Sequence, residues 1–105
     1  MISIGCPRAY PDRAIDYVND DSKYDVRCCS INGTNCSSKP CQRRKTYIEA
    51  EQICHTRGER LCEEHEMNSC CHTGCVMDPT YIWVARQTKG KLIRNIYPIQ
   101  MFFTI

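Results

Sequence analysis

No run in this chain approaches the ~20 apolar residues that carry a helix across a bilayer, so no membrane span is expected. Aromatic bulk is scarce, with one Trp and two Phe. Charge of one sign is scarce as well. Fourteen Lys and Arg against twelve Asp and Glu leave a formal +2, well short of the basic excess of a dedicated nucleic-acid binder. Nucleophile-elbow, P-loop and His-Glu-x-x-His patterns are missing. The expectation is therefore no catalytic residue, no cofactor, no resident metal and no nucleic-acid partner.

What the chain has instead is sulfur. Ten Cys in 105 residues is the density of a disulfide scaffold. Without those ten, roughly a third of the residues are apolar. A chain this short leaves about 35–40% of its unfolded surface in contact with water, so such a core is thin. Cys6, Cys28, Cys29, Cys36, Cys41, Cys54, Cys62, Cys70, Cys71 and Cys75 are an even set, and five disulfides in an oxidising compartment are expected. The pairing itself stays open. In the vicinal pairs Cys28-Cys29 and Cys70-Cys71, neighbouring side chains diverge, so each member should bond a different distant partner. Each closed loop contributes about 2–4 kcal/mol by restricting the unfolded chain. A secreted or extracellular location follows as an expectation. Residues 1–6 show no basic start with a long apolar run, so export would involve a removed leader, a larger parent or an unconventional route. The sequons at Asn32 and Asn35 are candidate glycosylation sites that lean the same way.

The chain reads as one α+β domain in three parts. Residues 1–45 are turn-rich and cross-linked. Tyr17-Val18 and Tyr24–Cys28 are short runs, the second a strand by its alternation. Asn32-Gly33 marks a turn. The stretch 36–41 reads as a small loop that Pro40 keeps out of a helix. Residues 46–84 begin with Thr46 and Glu49, a capping box. Apolar spacing at Tyr47, Ala50 and Cys54 then predicts a helix over 47–57, closed by Gly58 as its left-handed cap. Arg60–Cys62 is extended, residues 63–69 form a second short helix, and Tyr81–Ala85 is a buried strand. Residues 87–91 are a polar turn. In the third part, 85–105, the apolar stretch 92–105 is a last strand pair or a self-assembly edge.

Residues 46–84 resemble one half of the C-type lectin-like domain. The resemblance rests on Thr46-Tyr47-x-x-Ala50-x-x-x-Cys54-x-x-x-Gly58-x-x-Leu61, then an acid on a second helix, then an aromatic strand. A Cys-rich variant is nearer, with Gly58-x-Arg60-Leu61-Cys62, Glu66-Met67, Gly74-Cys75 and Asp78-x-x-x-x-Trp83-Val84. Val26-Arg27-Cys28-Cys29 also fits that variant. It implies a secreted or surface module of lectin-like architecture. Two departures limit it. Glu63 stands where Thr or Ser usually opens the second helix. The calcium-and-sugar signatures Glu-Pro-Asn or Gln-Pro-Asp, with a following Trp-Asn-Asp, are absent. Calcium-dependent sugar binding is therefore not implied.

Three polar groups remain. Cys70-Cys71-His72-x-x-Cys75, with His55 or Cys54 as a fourth ligand, has zinc-like spacing, but the plain reading is half-cystines beside a surface His. His65, among Glu63, Glu64 and Glu66, reads as an exposed acidic helix face. Arg43-Arg44-Lys45 is the densest basic run; it suits sulfated glycans or anionic lipid, or is a solvated loop before the helix. Vicinal Cys also occurs in secreted phospholipases, but neither pair here is followed by their His-Asp. The favoured reading is a non-catalytic extracellular binding or assembly module whose partner is a protein or glycan surface. The alternatives are a toxin-like effector of a membrane protein and a zinc-stabilised intracellular protein.

Overall fold

A computed structural model describes residues 1–13 and 15–86. The expected turn at 87–91 and the self-assembly stretch 92–105 lie outside the described residues. Within them the chain is a small disulfide-rich α+β domain. Its strands are β1 (Ile2–Ile4), β2 (Ile15–Asp16), β3 (Tyr24–Cys29), β4 (Cys36–Lys45), β5 (Arg60–Leu61) and β6 (Tyr81–Trp83), with helix α1 at Tyr47–Thr56. Two 3-10 segments, Pro11–Arg13 and Glu64–Cys70, complete it. The sheet order is β2-β1-β6-β3-β4, and β5 also pairs with β3. A parallel pairing joins β3 and β6 through Asp25 and Ile82.

Helix α1 forms where the sequence places it. Thr46 Oγ1 accepts from Glu49 N, and Glu49 Oε1 accepts from Thr46 N at 2.9 Å, so two free amide donors are satisfied reciprocally. That backbone donation holds the Glu49 carboxyl below its ordinary range. At the other end Gly58 has φ +73°. Glu59 N bonds Cys54 O and Gly58 N bonds His55 O, a Schellman closure. Tyr47, Ala50 and Cys54 are buried.

Strand β3 organises the interior. Asp25 through Cys29 are all buried, as expected of a strand covered on both faces. Successive side chains point to opposite faces, and the core divides accordingly. Val26 and Cys28 join Ile2, Tyr47, Ala50, Cys54, Leu61 and Trp83 under α1. Cys29 joins Met67, Met77, Ile82 and Val84 in a second cluster. Strand β6 splits in the same way, with Trp83 in the first cluster and Ile82 in the second. Trp83 donates its Nε1–H to Lys45 O at 2.7 Å. It meets Tyr24 and Tyr47 edge-on at 5.5 and 5.3 Å, a favourable ring geometry.

Two expectations change. Residues 36–41 are not a loop but the first part of the ten-residue strand β4. Because β4 is an edge among the described residues, Pro40 costs no ladder bond inside the sheet, and register shifts against β3 absorb the irregularity. The second helix is a 3-10 helix, Glu64–Cys70. The short strand β2 lies just before the run Tyr17-Val18, and Tyr17 is exposed.

Candidate binding surface and disulfide frame

All ten cysteines are paired: Cys6–Cys71, Cys28–Cys54, Cys29–Cys62, Cys36–Cys70 and Cys41–Cys75. Each vicinal pair bonds two separate segments. For Cys28 and Cys29 the cause is strand alternation, which sends one sulfur toward α1 and the other toward the segment after β5. Cys70 and Cys71 tie the end of the 3-10 helix to β4 and to the segment after β1. The zinc-like set of Cys70, Cys71, His72 and Cys75 does not converge here. Its three cysteines bond Cys36, Cys6 and Cys41, His72 is exposed, Cys54 bonds Cys28, and His55 is exposed.

The basic run lies on edge strand β4 rather than in a loop, and its three members have different surroundings. Arg43 is committed within the protein. Its Nη1 reaches Asp25 Oδ2 at 2.7 Å, and its Nη2 donates to Cys75 O. Lys45 is half-buried and supplies the carbonyl that holds Trp83. Arg44 is exposed, with φ +58°, a left-handed conformation uncommon for a residue with a Cβ. It borders an open depression together with Lys23, Tyr24, Asp25, Thr80 and Tyr81. Tyr24 and Tyr81 stand edge-to-face at 6.4 Å. Sequence spacing gave no sign of this grouping, because the sheet joins residues from β3, β4 and β6.

Beside this edge runs a loop of unusual backbone. His72, Gly74, Cys75 and Val76 all have positive φ, and Val76 is 82% exposed. A β-branched residue in that region is an outlier. The loop is fixed to β4 by Cys41–Cys75 and by the approach of the Ser38 and Thr73 hydroxyls at 3.4 Å. The sequon residues Asn32 and Asn35 are exposed on the turn between β3 and β4. Asn32 Oδ1 accepts from Ser30 Oγ, Thr34 N and Thr34 Oγ1.

Under the loop lies a polar centre that no motif announced. Arg27 has no exposed side-chain surface. Nε donates to Ser38 Oγ at 3.0 Å, and Nη1 donates to Gly5 O at 2.7 Å. Nη2 forms an ion pair with Asp78 Oδ1 at 3.4 Å. Burial pushes the guanidinium pKa down, and Asp78 opposes that shift. Asp78 also accepts from His72 N and meets His72 Nδ1 at 3.1 Å. Gly5 fits because a Cβ there would collide with the Met77 carbonyl. This centre has a structural character: it fastens β1, β3, β4 and the 72–78 loop together.

A second ion pair sits at the 3-10 helix. Arg60 Nη1 and Nη2 reach Glu66 Oε1 and Oε2 at 2.9 and 2.8 Å, a bidentate pair. Glu66 Oε1 also accepts from Glu63 N. The Arg60 bond, ahead of the Glu63 backbone donor, holds the Glu66 carboxyl below its ordinary range against the opposing effect of burial. His65 is two-thirds exposed and lies 3.5 Å from Glu63 Oε1. No family model, curated protein or solved structure matches this chain.

Proposed function

We propose that the protein is a non-catalytic extracellular binding module of lectin-like architecture. It presents the β4 edge to an anionic partner, best a sulfated glycan, without calcium. The observation that carries this reading is the grouping of Lys23 and Arg44 with Tyr24 and Tyr81 around one open depression. Two cations offer point-charge attraction to sulfate, and tyrosine rings suit the apolar faces of sugars. Arg44 keeps this place although its backbone conformation is unfavourable, and such local strain clusters at functional positions. Five disulfides keep the surface rigid, so little ordering cost accompanies binding. They also favour an oxidising location.

The test is binding to immobilised heparin and to a sulfated-glycan array, with and without a calcium chelator. Native protein should be retained in both conditions. The Lys23→Ala/Arg44→Ala variant should lose at least tenfold in affinity, while an Arg8→Ala control should not. Absence of retention, dependence on calcium, or equal loss in the control would refute the assignment.

A further inference from the structure

Two of the disulfides lie against each other. Cys29 Sγ stands 4.0 Å from Cys36 Sγ and 3.8 Å from Cys70 Sγ, and Cys62 Sγ stands 3.9 Å from Cys70 Sγ. All four sulfurs fall within 4.8 Å of one another. They are the sulfurs of Cys29–Cys62 and Cys36–Cys70.

That spacing has a chemical meaning. Zinc–thiolate bonds of about 2.3 Å put the corners of a tetrahedral S4 site about 3.8 Å apart. A tetrahedron has six edges. The two disulfides occupy opposite edges, and three of the four edges between them already measure 3.8 to 4.0 Å. The fourth lies within 4.8 Å, and the two bonded edges have to lengthen, which reduction does. Four soft sulfur donors in this arrangement select a zinc-class cation over calcium or magnesium.

The surroundings suit such a site. Cys29, Cys62 and Cys70 are buried in the apolar cluster with Met67, Met77, Ile82 and Val84. Cys36 is half-buried and leaves a path for the ion. A bound cation would join the same segments that the disulfides join: β3, the start of β4, the chain after β5 and the end of the 3-10 helix. The fold would keep its cross-links while exchanging their chemistry. Ligand spacing in the sequence concealed this set. Six residues separate Cys29 from Cys36 and seven separate Cys62 from Cys70, unlike the close pairs of zinc knuckles.

We propose that Cys29, Cys36, Cys62 and Cys70 form a tetrathiolate site for one zinc ion when Cys29–Cys62 and Cys36–Cys70 are reduced. Each disulfide takes two electrons and two protons from an external dithiol, which closes to its own disulfide. Four thiols result. Zinc binding then releases their four protons as the thiolates form. This site does not depend on the glycan reading.

The experiment uses the full chain, reduced by a water-soluble phosphine, which takes its oxygen from water and becomes the phosphine oxide. Zinc(II) is titrated in, free thiols are alkylated, and the protected cysteines are mapped by mass spectrometry. The expected result is one zinc per chain, with protection of Cys29, Cys36, Cys62 and Cys70 and alkylation of the other six. Cobalt(II) in place of zinc should give tetrahedral tetrathiolate absorption. Cys36→Ser/Cys70→Ser should abolish that absorption, and Cys41→Ser/Cys75→Ser should leave it. No uptake, protection of a different set, or equal loss in both variants overturns the proposal.

Discussion

The buried guanidinium of Arg27 stands 3.4 Å from the Asp78 carboxylate, and that carboxylate also receives the backbone N–H of His72 at 3.0 Å. One acid thus balances an interior charge and fixes the strained loop that carries it. Arg27 is fully buried, while Asp78 retains 20% of its side-chain exposure. The pair is therefore asymmetric, and the two partners differ in what their loss leaves behind.

Removing the acid leaves an uncompensated interior cation. Asp78→Ala should destabilise the fold by about 3 kcal/mol, the lower end for breaking a buried pair. Arg27→Met/Asp78→Ala should cost less than the sum of the two single changes, because the double variant no longer buries a lone charge. Urea denaturation under non-reducing conditions measures both. Additive losses would show that the two residues are not coupled.

The Arg60–Glu66 pair gives the fold a pH dependence of known sign. Glu66 has a folded-state pKa below its unfolded value, chiefly because of the Arg60 bond. Its ionised form therefore contributes stability that is fully present above that unfolded value. The contribution is lost as pH falls through the lower, folded-state value. Glu66→Gln should be less stable than the native chain at pH 7 and should lose less on acidification from pH 5 to pH 2. Thermal melts across that range provide the comparison. Parallel curves for the two proteins would show that Glu66 contributes no pH dependence.

The disulfide pairing is open to direct chemical test. Intact mass should rise by about 10 Da on full reduction, two hydrogens for each of five bridges. Stepwise partial reduction with alkylation should separate Cys28–Cys54 from Cys29–Cys62. A Cys28–Cys62 or Cys29–Cys54 bridge would mean that strand alternation does not direct the vicinal sulfurs.

Local chemistry made several elements legible from the chain alone. Thr46, Glu49 and Gly58 define both ends of α1, because capping depends on residues within a few positions of each other. The apolar spacing of Tyr47, Ala50 and Cys54 fixed which helix face turns inward. Aromatic and β-branched content marked Tyr81–Ala85 as a strand, of which Tyr81–Trp83 forms one, and an even count of cysteines pointed to complete pairing. Nearest-neighbour geometry also pointed to divergence within each vicinal pair.

Other features arose only when distant segments met. Pro40 read as the mark of a loop, since its tolerance in a strand depends on β4 having no partner on its outer side among the described residues. Arg27 is one more charged residue in the sequence; Gly5, Ser38 and Asp78, far apart in the chain, make it a core residue. Arg43, Arg44 and Lys45 look alike in a row, yet Asp25 and the Cys75 carbonyl hold the first in place at the surface and leave Arg44, among the described residues, without such partners in the depression. Which sulfur faces which followed from sheet order, and so did the close approach of Cys29–Cys62 to Cys36–Cys70. Short-range bonding is written in neighbouring residues; burial and convergence depend on the whole fold.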